Sequence, residues 1–281
     1  MRIGILGMGR MGQALAGRLL EQGHDVTIWN RSPGRAPELV GAGAKEAVDV
    51  AGATSGAEVV MTSLANDEAV RQIALGTQGV LGSLGAGAVY ADTSTVSVGL
   101  AEELGKASES YVAMPVLGPP SAVRSGQATY LVGGSDQAAG VLGPLFPGLS
   151  PRHIRYPAPA RASAAKLTVN LLLLDGLAAL AEAFAAGRAG GLGDDDMRVL
   201  LTDSPMLAPG LRNRFEGVLT GDQGAWWTAA LGAKDARLAV ELAATAGSDL
   251  PVTSTVQASY ERAAAAYPDA DIAAIGRLYR R

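Results

Sequence analysis

This sequence predicts a doubly wound parallel α/β sheet followed by an all-helical domain. Two patterns carry that prediction. In the first half, short apolar runs alternate with segments of helical spacing, as βαβ units do. After about residue 150 the alternation stops, and Ala- and Leu-rich stretches without convincing strands take over. A third observation fixes where a ligand would sit. The glycine turn "GMGRMG", residues 7–12, lies where the first apolar run gives way to the first helix.

The elements follow in order. "RIGIL" is a short buried strand, and "RMGQALAGRLLEQG" has helical spacing and stops at Gly23. "HDVTIW" is the second strand. "AEVVMTSL" (57–64) and "GAVYADTS" (87–94) are further buried strands, each ending in polar residues. Right-handed crossovers place the strand C-terminal ends along one edge, where ligands bind. "PLFPGLSPRHIRYPAPA" carries five prolines and reads as a connector. Residues 161–188 read as one long helix, apolar almost all round and therefore buried. The expected division is a Rossmann domain over 1–158 and a helical domain over 159–281.

Composition narrows the function. At 281 residues the chain is long enough for two domains. Its net charge of -4, with no basic run, favours neither nucleic acid nor a membrane surface. Without cysteine there is no disulfide, thiolate nucleophile or Cys-based metal site. His24 and His153 are too few for a histidine metal cage, so no metal is expected, and both read as structural. "MRI" runs straight into a strand, and the longest apolar run, Leu171 to Leu174, is far below membrane-spanning length. The expectation is a cytoplasmic protein.

The glycine turn has a strand before it, a helix after it and another strand about 20 residues on. Gly7 permits the tight turn, Gly9 the close approach of a pyrophosphate, and Gly12 helix–sheet packing. The turn, from Gly7 through Met8, Gly9, Arg10 and Met11 to Gly12, then offers helix N-terminal N–H groups to phosphates. The second strand ends in "WNRS". Where NAD-preferring folds place an acid for the ribose 2′-OH, this chain has Asn30. Arg31 offers a guanidinium fork and Ser32 a hydroxyl, so NADP(H) is expected over NAD(H). Arg35 is a weaker second phosphate contact. The alternative reading of Arg31 is a solvated turn residue.

Hydride chemistry on an alcohol needs a proton donor or acceptor beside the oxygen. Lys166, early in the long apolar helix, is the candidate. Burial is costly for a lysine without a partner or a task, and would lower its pKa toward a general acid/base range. Asn170 is one turn on, along the same face. On spacing alone, a snorkelling lysine fits equally well. "SLAN" (63–66) and "DTST" (92–95) end strands at the ligand edge. There Leu64 and Ala65 would line the cofactor, and Ser94 and Thr95 would bond ribose, nicotinamide or substrate. Helix capping is the other reading for Ser94 and Thr95, and for Asn66.

Seven stretches carry a resemblance to a known family: "GILGMGRMGQALAGRLLEQGHDVTIWNRS", "TSLANDEAV", "ADTSTVS", "AMPVLG", "KLTVN", "LGAKDARLAVELA" and "ADIAAIGRLYR". In that order, over nearly the full length, the chain resembles the β-hydroxyacid dehydrogenases. That family includes 3-hydroxyisobutyrate dehydrogenases and glyoxylate/succinic semialdehyde reductases. The resemblance implies a Rossmann domain, a helical domain built on a long interdomain helix, and an active site in the cleft between them. It makes Lys166 the general acid/base and gives Asn170 the support of the lysine or the substrate. It brings Lys234, of the "KD" pair at 234 and 235, to the cofactor. It also implies a homodimer through the helical domain.

One segment departs from the family. Where A-P-V-S-G-G is usual, the chain reads "MPVLGPP". Leu117 replaces the serine and Pro119 the second glycine, so a hydroxyl and an N–H are lost. Gly118 remains to position substrate, together with Ser94, Thr95 and Asn170. Trp226 and Trp227 either line a more apolar pocket or pack in the core. The function expected is an NADP(H)-dependent oxidoreductase interconverting a small hydroxyacid, or related alcohol, and its aldehyde or keto form. "GHDVTIWNR" also resembles imine reductases, which typically carry Asp or Tyr in place of Lys166, so imine reduction is the alternative. A non-catalytic NADP-binding protein is the alternative of another class.

Overall fold

The structure is a computed structural model that describes residues 1–280. The chain forms two compact units, the first running from Met1 to Lys166 and the second beginning at Leu167.

The first unit is built on one nine-stranded sheet. Its strands are β1 (Arg2–Leu6), β2 (Asp25–Trp29), β3 (Lys45–Glu46), β4 (Val59–Thr62), β5 (Val89–Asp92), β6 (Tyr111–Ala113), β7 (Val116–Leu117), β8 (Thr129–Gly133) and β9 (His153–Tyr156). The order is β3-β2-β1-β4-β5-β6-β8-β7, with β9 paired to β8. The pairs from β3 to β6 are parallel, whereas β8 runs antiparallel to β6 and β7. The order reverses direction at β1, the topological switch point of a doubly wound sheet.

Alternation along the strands explains why the sheet is covered on both faces. Val59, Met61, Val89 and Ala91 join one apolar cluster, while Val60 and Tyr90 join the cluster on the other face. The first helix, α1 (Arg10–Glu21), buries Leu15 and Leu19 on the sheet and ends as Gly23 turns left-handed at φ 78°. The expected strands in "RIGIL", "HDVTIW", "AEVVMTSL" and "GAVYADTS" are all present. The proline-rich connector is not purely a connector. His153–Tyr156 forms β9, paired in parallel with β8, because the run "HIRY" holds no proline. His153 stacks on Phe146 at 4.1 Å, and His24 Nδ1 lies 3.2 Å from the N-terminal amine. His24 precedes β2 and so lies at the amino end of the parallel strands, away from their carboxyl edge.

The second unit is helical. Its core gathers Leu174, Leu177, Phe184, Phe215, Val218, Tyr260 and Ile275. The long helix runs Pro159–Ala189 and supplies one side of that core. By length and composition it could cross a bilayer, which the short leucine run alone did not suggest, because alanines extend the apolar stretch. The expectation that it is buried all round needs correcting. Leu174 and Phe184 are fully buried, but Leu172 is 75% exposed and Val169 43%.

Candidate active site

At the switch point β1 ends in the glycine turn. Gly7 has φ 98°, in the left-handed region, and a Cβ there would lie 2.4 Å from Ser63 O. A Cβ on Gly12 would lie 1.9 Å from Gly7 O, so only glycine lets α1 leave the turn this closely. Gly9 is different. A Cβ there would meet nothing within 4 Å, so its glycine leaves space rather than relieving contact within the protein. Gly9 is also the N-cap of α1 and supplies no side-chain cap. The N–H groups of the first turn are therefore left for a ligand.

The space in front of the turn is a cavity of about 870 Å³. It brings together Gly7, Met8, Gly9, Asn30, Arg31, Ser32, Leu64 and Ala65 with Arg35, the weaker phosphate contact of the sequence reading. Arg10, Met11 and Gly12 form the first turn of α1 beside it. Two arginines against one carboxylate, Asp49, bias the lining toward an anion, and Asp49 is engaged as an N-cap for Gly52 N–H at 2.7 Å. A glycine that opens space, an uncapped helix start and this lining fit a dinucleotide.

Asn30 does more than remove a negative charge. Its Oδ1 accepts from Met8 N–H at 2.9 Å and its Nδ2 donates to Ser32 O at 2.9 Å. Both ends of the amide are held by protein, so Asn30 ties the end of β2 to the glycine turn. Arg31 is exposed at the cavity.

The polar ends of β4 and β5 are joined by a buried chain that the sequence reading did not single out. Thr62 Oγ1 donates to Asp92 Oδ1 at 2.7 Å. That hydroxyl has one proton, so the Tyr90 phenol, 2.9 Å away, is the donor to Thr62. Burial, with the Asp92 charge adding to it, holds the Tyr90 hydroxyl well above its usual pKa and keeps that proton in place. Asp92 Oδ1 also accepts from Ser94 N–H at 3.0 Å. Ser94 Oγ in turn accepts from Leu64 N–H at 2.9 Å, and Ser94 is only 5% exposed. Ser94 thus staples the β5 loop to the β4 loop and fixes Leu64 at the cavity. Thr95 is half-buried. The cap expected for the following helix is not Ser94 or Thr95 but Ser97, which accepts from Leu100 N–H. Asn66 is a cap, accepting from Ala69 N–H at 2.9 Å.

Lys166 has a partner. Its Nζ donates to Val116 O at 2.7 Å, which pins the ammonium to the segment "VLGPP". Gly118 in that segment has φ 136°, and its missing Cβ would crowd Ala122 Cβ at 3.2 Å. In the second unit, Asn170 is 5% exposed and its Nδ2 donates to Asp235 Oδ2 at 2.8 Å. A carboxylate only accepts, so this contact sets the amide orientation. Asp235 Oδ1 lies 2.9 Å from Lys234 Nζ, with the side chains only 3% and 13% exposed. The "KD" pair is therefore largely buried. Asp235 was missed, although an adjacent charge pair inside an Ala-rich helix was the signal for it.

The tryptophans cluster around a second buried pair. Arg214 Nε donates to Asp271 Oδ1 at 2.7 Å, both side chains being 1% exposed. The Arg214 guanidinium lies 4.0 Å from the Trp226 ring centroid, and Asp271 Oδ2 accepts from the Trp226 and Trp227 N–H groups at 3.3 Å. These are packing contacts, and of the two expected readings of the tryptophans they match the core one.

Comparison with known proteins agrees with the class of protein this architecture defines, a nicotinamide-nucleotide oxidoreductase. Residues 2–156 match the NAD binding domain of 6-phosphogluconate dehydrogenase, and residues 160–279 match the domain described as NAD-binding of NADP-dependent 3-hydroxyisobutyrate dehydrogenase. The chain belongs to the β-hydroxyacid dehydrogenase family. It is 29% identical to an uncharacterized oxidoreductase of Bacillus subtilis, covering 93% of each chain. Among solved structures it is similar to 3-hydroxyisobutyrate dehydrogenase from Salmonella typhimurium (TM-score 0.89, 25% identity, 99% of each chain). It is also similar to Psf3 in complex with NADP+ and 2-OPP (TM-score 0.88, 25% identity, 99% of this chain and 100% of that one). An imine reductase of Streptomyces aurantiacus shares the fold, with TM-score 0.65 and 21% identity over the whole of both chains.

Proposed function

We propose that the protein is an NADP(H)-dependent oxidoreductase that interconverts a small hydroxyacid, or related alcohol, with its aldehyde or keto form, using Lys166 as general acid/base. The observation that carries this reading is the 2.7 Å bond from Lys166 Nζ to Val116 O. It holds the only lysine of the long helix in one place instead of leaving it to snorkel. The bound nucleotide supplies or removes hydride at nicotinamide C4. The uncapped start of α1 would hold the pyrophosphate, and Leu64, fixed through Ser94, lines the same cavity. In the reducing direction Lys166 Nζ gives its proton to the substrate oxygen, and in the oxidising direction the neutral amine takes it.

Arg31 supports the preference for NADP(H), because an exposed guanidinium at the end of β2 suits a 2′-phosphate and Asn30 offers it no like charge. The relative solved with NADP+ points the same way. The test is a screen of small oxo acids, aldehydes and imines with oxidation of NADPH and NADH as readout. NADPH is expected to give the higher kcat/KM, and Arg31→Ala to reduce that advantage about tenfold, roughly the 1.4 kcal/mol of an exposed charge-assisted contact. A wild type that prefers NADH, or a ratio untouched by Arg31→Ala, removes the preference. Turnover of imines but not of aldehydes replaces the reaction, and nucleotide binding without any turnover replaces the enzyme. Exposed Leu172 and Val169 on the long helix support a homodimer, and light scattering is expected to give twice the 28.5 kDa chain mass.

A further inference from the structure

We infer that the substrate is an uncharged carbonyl compound, with no carboxylate close to the reacting carbon. The inference rests on Lys166 being the proton donor, and within the proposed reaction it selects the related alcohol over the hydroxyacid. It comes from the stretch of backbone to which Lys166 is pinned. Val116 O takes the ammonium, so the segment that Val116 opens, residues 116–120, is the stretch of chain tied to the proposed proton donor. That stretch offers a carboxylate very little. Val116, Leu117, Gly118, Pro119 and Pro120 include no cation and no side-chain donor. Pro119 and Pro120 have no N–H. Two of the next donors, Ala122 N–H and Val123 N–H, turn back onto Pro119 O at 3.0 and 3.2 Å. Gly118 sits at φ 136°, where an added Cβ would lie 3.2 Å from Ala122 Cβ, so a side chain there is disfavoured.

The same stretch suits an apolar group. Leu117 is half-buried and packs on the edge of the cluster that Leu64 and Ala165 also join. Gly118, Pro119 and Pro120 are likewise half-buried, so they present hydrocarbon next to the lysine. A carboxylate placed here would lose water and find among residues 116–120 no cation and no side-chain donor, only main-chain N–H groups, which is a poor exchange for an ion. A short alkyl chain would gain by burial. In the step itself the carbonyl carbon accepts a hydride from the reduced nicotinamide, the π pair moves onto oxygen, and that oxygen takes the Nζ proton. The products are a neutral primary or secondary alcohol, the oxidised nucleotide and a neutral lysine. A carboxylate is not needed at any point.

Matched substrates test this. Butanal and succinic semialdehyde share a four-carbon chain and differ in the terminal carboxylate. Acetaldehyde and glyoxylate differ in the same way next to the reacting carbon. With NADPH and the wild-type protein, kcat/KM is expected to be at least tenfold higher for the uncharged member of each pair. A preference for the carboxylate member in either pair overturns the inference while leaving the oxidoreductase reading intact. No turnover of any of the four, with bound NADPH shown by its fluorescence, overturns both. Leu117→Ser combined with Pro119→Gly restores a hydroxyl and an N–H, and is expected to raise kcat/KM for succinic semialdehyde relative to butanal at least fivefold. Should that variant fail to fold, Leu117→Ser alone is expected to shift the ratio in the same direction, and an unchanged ratio in a folded variant counts against the inference.

Discussion

The two units handle charge in opposite ways. Ion pairs in the first unit lie at its surface, as in Lys45–Asp25 with side chains 67% and 46% exposed, and Arg71–Glu103 at 47% and 42%. Its ligand-facing polarity comes from main chain: a glycine turn, an uncapped helix start and the Val116 carbonyl that holds Lys166. The second unit instead buries two ion pairs, Arg214–Asp271 and Lys234–Asp235. The difference follows from the secondary structure. Strand ends and helix starts at a switch point leave main-chain groups unpaired and aimed at one edge, ready for a ligand. Helices satisfy their own backbones, so polar specificity among them has to come from side chains. Buried pairs of this kind add little net stability but are costly to break. Substitutions in the first unit are therefore expected to damage function with the fold intact, and those at the buried pairs of the second to damage the fold.

Lys166→Ala gives the largest expected effect. It removes the proposed proton donor, so kcat is expected to fall about 10²–10⁴-fold, the usual range for general acid/base catalysis. NADPH affinity, which the proposed function places at the glycine turn, is expected to stay within about twofold, as read by nucleotide fluorescence. The melting temperature is expected to move little, since the side chain makes its described bond to a carbonyl that water can serve instead. Retained turnover takes Lys166 out of the mechanism. A collapse in stability would show that the lysine is structural and would break the contrast between the units.

Asp271→Ala comes next and probes the other side. It leaves the Arg214 guanidinium at 1% exposure without its carboxylate, and strips the acceptor from the Trp226, Trp227 and Ala273 N–H groups. Removing one member of a buried pair typically costs about 3–5 kcal/mol. Urea denaturation of both proteins measures it. A loss under about 1 kcal/mol, the size of an ordinary surface pair, would mean that the second unit tolerates charge much as the first does.

The same division explains what the sequence made legible. Main-chain sites leave glycine signatures at fixed spacing, so Gly7, Gly9, Gly12 and the residues at the ends of β2 and β4 could be read directly. Strands β3, β6, β7, β8 and β9 escaped, because runs of two to five residues give little periodicity to read. Side-chain pairs between distant elements leave no local pattern. Asp271 is 57 residues from Arg214, and Asp235 is 65 from Asn170. The burial of adjacent Lys234 and Asp235 was not legible, because nothing in "GAKDARLA" reports how deeply that turn of helix is packed. Ser94 was legible as a residue at the ligand edge, but its role as a staple depended on Leu64, 30 residues away.

The smallest effect concerns an acid that the second unit buries without a cation in its described contacts. Asp175 lies on the long helix, where Thr253 Oγ1 donates to its Oδ2 at 3.0 Å and its Oδ1 is buried with no hydrogen-bond partner among the described residues. Burial raises its pKa above the ordinary 3.8, and the Thr253 hydrogen bond offsets only part of that. The folded protein therefore holds this proton more tightly than the unfolded chain does. The contribution is fully present below pH 3.8 and is lost as the pH rises through the higher folded-state value. Asp175→Asn cannot ionise, so its stability relative to wild type is expected to rise from pH 3.5 to pH 7, as read from urea midpoints at each pH. If the carboxylate has a cationic partner in solution, the difference will instead fall as pH rises, because the wild type then gains an ion pair that the variant lacks. That outcome would place Asp175 with Asp235 and Asp271 among the paired acids of the second unit.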